Sequence, residues 1–363
     1  MQKLFCKNNS PIPQFPNSPI PQFPNSPIHQ FTNTVLYDNH GRLINYLRLA
    51  VTDRCNLRCF YCMPEEGINY VPKSELMTYE EMLRIVRLLV SMGIEKVRIT
   101  GGEPFVRRDM MDFLRAISQL EGLKQINLTT NGTTTAPLVP ELKELGIRTV
   151  NLSLDTLDPE RFFKITRRNV FSDVMDTFEA LLKHGISTKI NAVVMQGKNE
   201  EDIFPLALLT KDLPVGVRFI EEMPFNGEGT HYDKLWWSHR RILALLQEHF
   251  PGMEKIPDPP HSTSSNHQIP GHRGTVGIIA AYSRTFCGTC NRIRMTPQGM
   301  LKTCLYDDGV FNIKNLLRAG ATDEQMRTAF LEALGNRAKD GFEAENQRNF
   351  GLPVSESMAT IGG

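Results

Sequence analysis

The sequence predicts an α/β fold: a partial (β/α)6 barrel of the TIM type, followed by a smaller C-terminal α+β domain. Three observations carry that expectation. Six apolar, β-branched runs recur between residues 47 and 223, with stretches of helical periodicity between them. Polar and glycine residues gather at the ends of those runs, where barrels of parallel strands place their chemistry. Beyond Phe225 the alternation stops and a different rhythm begins.

Residues 10–33 are a tandem repeat, SPIPQFPN, SPIPQFPN, SPIHQFTN. Proline recurs too often there for helix or sheet, and three short polar units cannot stack into a core. Residues 1–35 are therefore expected to be a disordered leader, and the barrel is expected over 36–225. Its strands are read at 47–52, 96–100, 125–129, 149–154, 188–195 and 216–223. Amphipathic helices lie between them, for example at 78–92, 109–119 and 172–183, the first with a capping box of Thr78 and Glu81. Strand–helix repeats of this length give a parallel sheet with helices outside. Closing a TIM barrel would need two more strands, and none is found.

The strand ends carry the candidate chemistry. They present Gly101, Gly102, Glu103 and Pro104; Thr129, Thr130, Asn131 and Gly132; Ser153 and Asp155; Lys189 and Asn191; then Arg218, Glu221 and Met223. Loops after strands are usually polar, but these share one rim. The smaller domain, 226–363, is read as a helix near 233–248, a flexible Pro-, Ser- and His-rich loop at 257–273 and a strand near 274–283. Two helices, at 312–318 and 323–336, complete it. His261, His267 and His272 fall in the loop at spacings that suit no chelating turn.

A formal net charge of +1 offers no global field for nucleic acid or an anionic membrane. The N-terminus lacks an apolar signal region, and no apolar run approaches the length of a membrane span, which argues for the cytoplasm. Seven cysteines do not suggest a disulfide framework in a chain of this length. Six fall into two triplets, and Cys6 stands alone.

Cys55, Cys59 and Cys62 form C-x3-C-x2-C in the loop after the first strand. A structural zinc site takes four ligands, and an ordinary cubane cluster takes four cysteines. Three thiolates would hold three irons of a 4Fe–4S cluster and leave the fourth open to a substrate or cofactor. A zinc knuckle that borrows a ligand is the alternative. Cys287, Cys290 and Cys304 form C-x2-C-x13-C, again three. On spacing alone, zinc completed by His249 or His272 and iron–sulfur are equal readings of this second set. Between its cysteines lies Arg292-Ile293-Arg294, and strand alternation puts both arginines on one face. Arg48, Lys96, Arg98, Lys189 and Arg218 come from the first, second, fifth and sixth strands. Cations buried in a lumen cost on the order of several kcal/mol each unless an anion compensates them. Their number implies an anionic guest, and arginine forks suit phosphate.

With Tyr61 before its third cysteine, the first motif resembles the signature of the radical S-adenosylmethionine (SAM) enzymes. The wider stretch LRLAVTDRCNLRCFYCMPEEG, with RITGGEPFVRRD behind it, is similar to the GTP 3′,8-cyclase family of molybdenum cofactor biosynthesis. The similarity runs from about Leu43 to the last residue. It implies a radical SAM partial barrel with one 4Fe–4S cluster on Cys55, Cys59 and Cys62, and a second in the smaller domain on Cys287, Cys290 and Cys304. It implies SAM contacts at Tyr61, Gly102, Ser153 and Met223, with glycines 101 and 102 letting backbone approach the methionyl part.

GTP contacts are implied at Arg48, Arg98, Thr129, Lys189, Arg292, Ile293 and Arg294. Arg48, Arg292 and Arg294 would hold and polarise the substrate as the cyclised radical is reduced. In the implied reaction, a 5′-deoxyadenosyl radical takes hydrogen from C3′ of GTP, and the carbon radical closes onto C8. The product is the 3′,8-cyclo-7,8-dihydroguanosine triphosphate of the first step of the pathway. Expected partners are GTP, a low-potential electron donor, the downstream cyclic pyranopterin monophosphate synthase and a second copy in a homodimer; neither nucleic acid nor membrane is expected. The family's diglycine tail enters the active site, and Gly362 and Gly363 match it. Two rivals remain on the residues: a peptide-modifying radical enzyme, and a zinc-dependent binding module.

Overall fold

The structure, a computed structural model, describes residues 35–225, 235–348 and 356–362. The octapeptide repeats, Cys6 and Gly363 lie outside the described residues. The six expected strands are β1 (Tyr46–Ala50), β2 (Lys96–Thr100), β3 (Gln125–Thr130), β4 (Thr149–Ser153), β5 (Ser187–Val194) and β6 (Gly216–Glu221). Each pairs in parallel with the next. Helices Tyr79–Ser91, Met110–Ser118 and Phe171–Lys183 match the amphipathic stretches. The first begins with the expected capping box: Glu81 N–H donates to Thr78 Oγ1, and Thr78 N–H to Glu81 Oε2. These helices bury Ile85, Leu89, Phe113 and Leu114 against Leu47, Leu49, Val97 and Ile99, the apolar face of the first strands. Phe178 and Leu206 do the same against Ile190, Val217 and Phe219 on the later ones.

Two more parallel strands do exist, contrary to expectation, and both come from the C-terminal region. It contributes β7 (Glu254–Lys255), β8 (Ser264–Gln268), β9 (Thr275–Ile279), β10 (Arg292–Met295), β11 (Met300–Lys302) and β12 (Phe311–Asn312). β9 pairs in parallel with β6, and β10 in parallel with β1. The parallel run is thus β10-β1-β2-β3-β4-β5-β6-β9, with β8 and β7 antiparallel at one edge and β11 and β12 at the other. The order is linear, so the barrel stays open. Strands β9 and β10 follow each other in sequence yet sit at opposite ends of the parallel run, with only a 3-10 turn at Cys287–Thr289 between them, so no strand–helix rhythm announces them. Residues 280–291, which join them, span the open side and carry Cys287 and Cys290 across it.

The expected flexible loop at 257–273 is corrected too, because it contains β8. The polar segment SSNHQ has no apolar alternation to betray a strand; pairing to β9 holds it. His267 is buried there, and His272 Nδ1 lies 2.8 Å from Thr210 Oγ1. Helices Ile313–Arg318 and Asp323–Gly335 are as read, and a further one, Gly341–Asn346, was not anticipated.

Candidate active site

One cavity of about 650 Å³ opens in the barrel, and both cysteine triplets line it. The first triplet sits on the loop after β1, which the turn after β2 grips by its backbone. Gly102 N–H donates to Thr52 O at 2.8 Å, and Glu103 N–H to Arg54 O at 2.8 Å. A Cβ on Gly101 (φ +130°) would meet Thr52 O at 2.4 Å, and one on Gly102 would meet Arg54 O at 2.1 Å. These glycines thus let the turn press against the cysteine loop, and both also line the cavity. Glu103, fully buried, accepts from Asn131 N–H, Phe105 N–H and Thr130 O–H; burial nevertheless raises its carboxyl to about 7. Asn131 Nδ2 in turn approaches Cys55 Sγ at 3.6 Å.

Burial, then Glu103, pushes the Cys55 thiol up to about 12, and burial, then Asp155, pushes Cys59 well above the ordinary thiol range. All six triplet cysteines are free thiols. Burial raises all three thiols of the first loop; convergent thiols that resist ionisation alone call for a strongly cationic partner, and an iron–sulfur cluster fits that chemistry. Among the described residues, no three His, Cys, Asp or Glu side chains close around a point the size of one metal ion. Neither His249, stacked on Phe204, nor His272 lines the cavity, so neither can complete a zinc set at Cys287.

The second triplet is assembled from farther apart. Cys287 and Cys290 lie on the spanning segment, and Cys304 follows β11. Arg337, 4% exposed, joins them: it donates to Cys290 O and Sγ, Arg292 O and Thr303 O, and pairs with Asp38 at 3.0 Å. Burial alone would raise Cys290, but Arg292 and Arg337 draw it down to about 6. No sequence signal marked Arg337.

Opposite the first loop, the lumen is basic. Arg294, Arg48 and Arg98 stand side by side in register on β10, β1 and β2. Thr129, Asn151 and Lys189 do so on β3, β4 and β5, as do Ser153, Asn191 and Arg218 on β4, β5 and β6. Lys96, Arg292 and all of these line the cavity. Burial first, then crowding by Arg218, Arg98 and Lys96, lowers Lys189 to about 8. Burial likewise lowers Arg218 to about 10, and Arg294 to about 10 with Arg292 adding to it.

Tyr61, Gly102, Ser153 and Met223 also line the cavity; Met223 packs in the same apolar cluster as Cys304. Tyr61 O–H donates to Asp155 Oδ2 at 2.8 Å. Glu221 ties the end of β6 to the segment bearing Cys287, accepting from Ser283 N–H and O–H and from His239 N–H. Ile293 is the exception among the expected contacts. Its side chain is 1% exposed and packs in the core, because strand alternation turns it away from the face that Arg292 and Arg294 share. Tyr46, Asn151 and Asn291 line the cavity without having been singled out.

Residues 356–362 reach this site. Helix Met358–Ile361 places Met358 and Ala359 in the cavity wall, and Arg294 Nη1 donates to Gly362 O at 2.6 Å. A Cβ on Gly362 (φ +77°) would meet Thr100 Cγ2 at 2.7 Å. Lys302, fully buried, anchors the segment through Glu356 at 2.6 Å.

Comparison with known proteins places the chain in a family. The radical SAM superfamily model matches residues 49–209, and the Molybdenum Cofactor Synthesis C model matches residues 215–342. The GTP 3′,8-cyclase of Syntrophomonas wolfei is 39% identical over 325 residues, 86% of this chain and 98% of that protein. Molybdenum cofactor biosynthesis protein 1 of Bos taurus is 44% identical over 305 residues, 84% of this chain and 48% of that protein. The chain spans about half the length of the animal relatives it matches. A crystal structure of Streptococcus suis SuiB superposes with a TM-score of 0.57 at 17% identity, covering 88% of this chain and 77% of that one, a likeness of fold alone. The chain belongs to the radical SAM superfamily and, within it, to the GTP 3′,8-cyclase family.

Proposed function

We propose that this chain cyclises GTP between C3′ and C8 with SAM as cofactor, opening molybdenum cofactor biosynthesis. Membership of the superfamily brings SAM and one 4Fe–4S cluster, which Cys55, Cys59 and Cys62 would hold. A second cluster on Cys287, Cys290 and Cys304 is part of the proposal. When bound, SAM and the first cluster supply a carbon radical by one-electron cleavage. The protein contributes position and dryness. Tyr61, Gly102, Ser153 and Met223 wall the SAM side, while Arg98, Thr129 and Lys189 offer donors to a triphosphate. Arg48, Arg292 and Arg294 would face the reacting nucleotide, with Gly362 fixing the Arg294 guanidinium. The carrying observation is a single cavity that joins two cysteine triplets to a basic floor, where the burial of each cation requires an anion.

A low-potential electron donor and the downstream synthase remain partners under this reading. Among the described residues, no helix is long and apolar enough to cross a membrane. The test is anaerobic incubation with SAM, reductant and GTP. Formation of 5′-deoxyadenosine together with a cyclised guanosine triphosphate supports the reading; 5′-deoxyadenosine with GTP recovered intact overturns it.

A further inference from the structure

The basic end of the cavity contains one acid that the proposed chemistry does not use. Tyr46, 9% exposed, opens β1 with Arg292 of β10 and Lys96 of β2 as its register neighbours. Arg98 Nε donates to its hydroxyl oxygen at 2.7 Å, and Lys96 Nζ lies 4.7 Å from its ring centroid. Arg98 Nη1 is used as well, donating to Leu128 O at 2.9 Å and Thr129 Oγ1 at 3.4 Å. Nε and Nη1 of Arg98 are thus both engaged, which fixes the plane of the guanidinium.

The cavity's two carboxylates are turned to other partners. Asp155 is engaged by Tyr61 O–H and Val193 N–H, and Glu221 by His239 and Ser283. The groups that bear on Tyr46 are cations from five strands: Arg48 on its own strand, Lys96 and Arg98 on β2, Lys189 on β5, Arg218 on β6, and Arg292 and Arg294 on β10. Burial would raise the phenol, yet Arg98, Arg48 and Lys96 bring it to about 7.

We propose that Tyr46 is a positioning residue of the polyphosphate subsite: its hydroxyl orients Arg98 and is the resident counter-ion of the basic floor until the guest's phosphates replace it. The proposal rests on reading the floor as a triphosphate site. When phosphates arrive, the cations are compensated from elsewhere and the phenol returns to its neutral form. Above about pH 7, binding therefore takes up a proton at Tyr46.

Inorganic tripolyphosphate is the probe, titrated calorimetrically into the cluster-loaded enzyme at about pH 8 in two buffers of different ionisation enthalpy. The wild type should take up protons, and its affinity should fall about tenfold or more between about pH 7 and pH 8.5. Tyr46→Phe should take up fewer protons and flatten that fall, whereas Lys189→Met should retain the Tyr46 share of both. Equal uptake and equal pH dependence in Tyr46→Phe and wild type would overturn the proposal, as would no binding of tripolyphosphate at all. If Tyr46→Phe does not fold, the ultraviolet tyrosinate band of the wild type decides. Its loss on adding tripolyphosphate supports the counter-ion role, and an unchanged band refutes it. Tripolyphosphate has neither base nor sugar, so this outcome is independent of whether GTP is cyclised.

Discussion

The two cysteine triplets of this chain open on the same cavity but are built in opposite ways. The first occupies one loop, with Cys62 N–H returning to Cys59 O and the turn of Gly102 and Glu103 clasping the backbone. The second draws Cys287 and Cys290 from the segment between two distant strands, Cys304 from beyond β11, and Arg337 from beyond helix Asp323–Gly335. Their electrostatics differ at one member, since burial raises Cys287 and Cys304 as it does the first triplet. Burial, with Glu103 and Asp155 beside it, holds the Cys55 and Cys59 thiols up, while Arg292 and Arg337 draw Cys290 down. A site contained in one loop depends on local backbone geometry. A site gathered across the fold depends on a clamp.

The largest expected effect separates the two sites by function. Replacing Cys55, Cys59 or Cys62 with Ala should abolish reductive SAM cleavage. Replacing Cys287 or Cys304 should remove about half of the iron and stop cyclisation while SAM cleavage continues. Iron analysis of a triple variant at 287, 290 and 304 is the check, since full iron content there would sink the two-cluster reading.

The second prediction tests the clamp. Arg337→Ala leaves Asp38 without one of its two arginine partners and removes the guanidinium from four acceptors, Cys290 O and Sγ, Arg292 O and Thr303 O. Removing one member of a buried pair costs about 3–5 kcal/mol. The second triplet should therefore lose its iron while the first keeps it, and Asp38→Asn should move the balance the same way. Unchanged iron in Arg337→Ala would show that the spanning segment holds its own shape.

The same contrast explains what the sequence disclosed. Six strands, their helices and the Thr78 cap were legible because period and capping are local signals. The run of eight parallel strands was not, since β9 and β10 pair with β6 and β1 across the molecule and nothing in their neighbourhood marks the partner. β8 was misread as a loop because SSNHQ is a strand by pairing alone. The cysteines and the cations of the strand ends were legible by type and spacing. Ile293 fell with its arginine neighbours in the motif, yet alternation buries it. Arg337 and Tyr46 have no motif; their roles exist only once distant elements meet.

Third in size is the tail. Deleting Gly362 and Gly363 removes the carbonyl that Arg294 holds, without touching either triplet. SAM cleavage should persist and cyclisation should fall, with partial recovery when a peptide ending in Ile-Gly-Gly is added in excess. Cyclisation at the full-length rate after truncation would reduce the Arg294 contact to a packing detail.

The smallest effect concerns Lys189, where the basic floor stabilises a guest at its own expense. Lys189→Ala should weaken GTP binding by about 1.5–3 kcal/mol, the worth of a hydrogen bond to a charged group, and leave SAM binding unaffected. Its ammonium is lowered to about 8 by burial and by Arg218, Arg98 and Lys96, against an ordinary lysine in the unfolded chain. Between about pH 8 and pH 10.5 the unfolded chain therefore binds more protons at this position than the folded one, and stability should rise with pH across that window. Lys189→Met should remove that share of the rise and stabilise the guest-free protein at neutral pH, since a crowded cation has gone. Denaturant midpoints of both proteins near pH 7 and pH 9 measure it. A variant less stable than wild type at pH 7, with the rise intact, would mean that another anion already compensates the floor at Lys189.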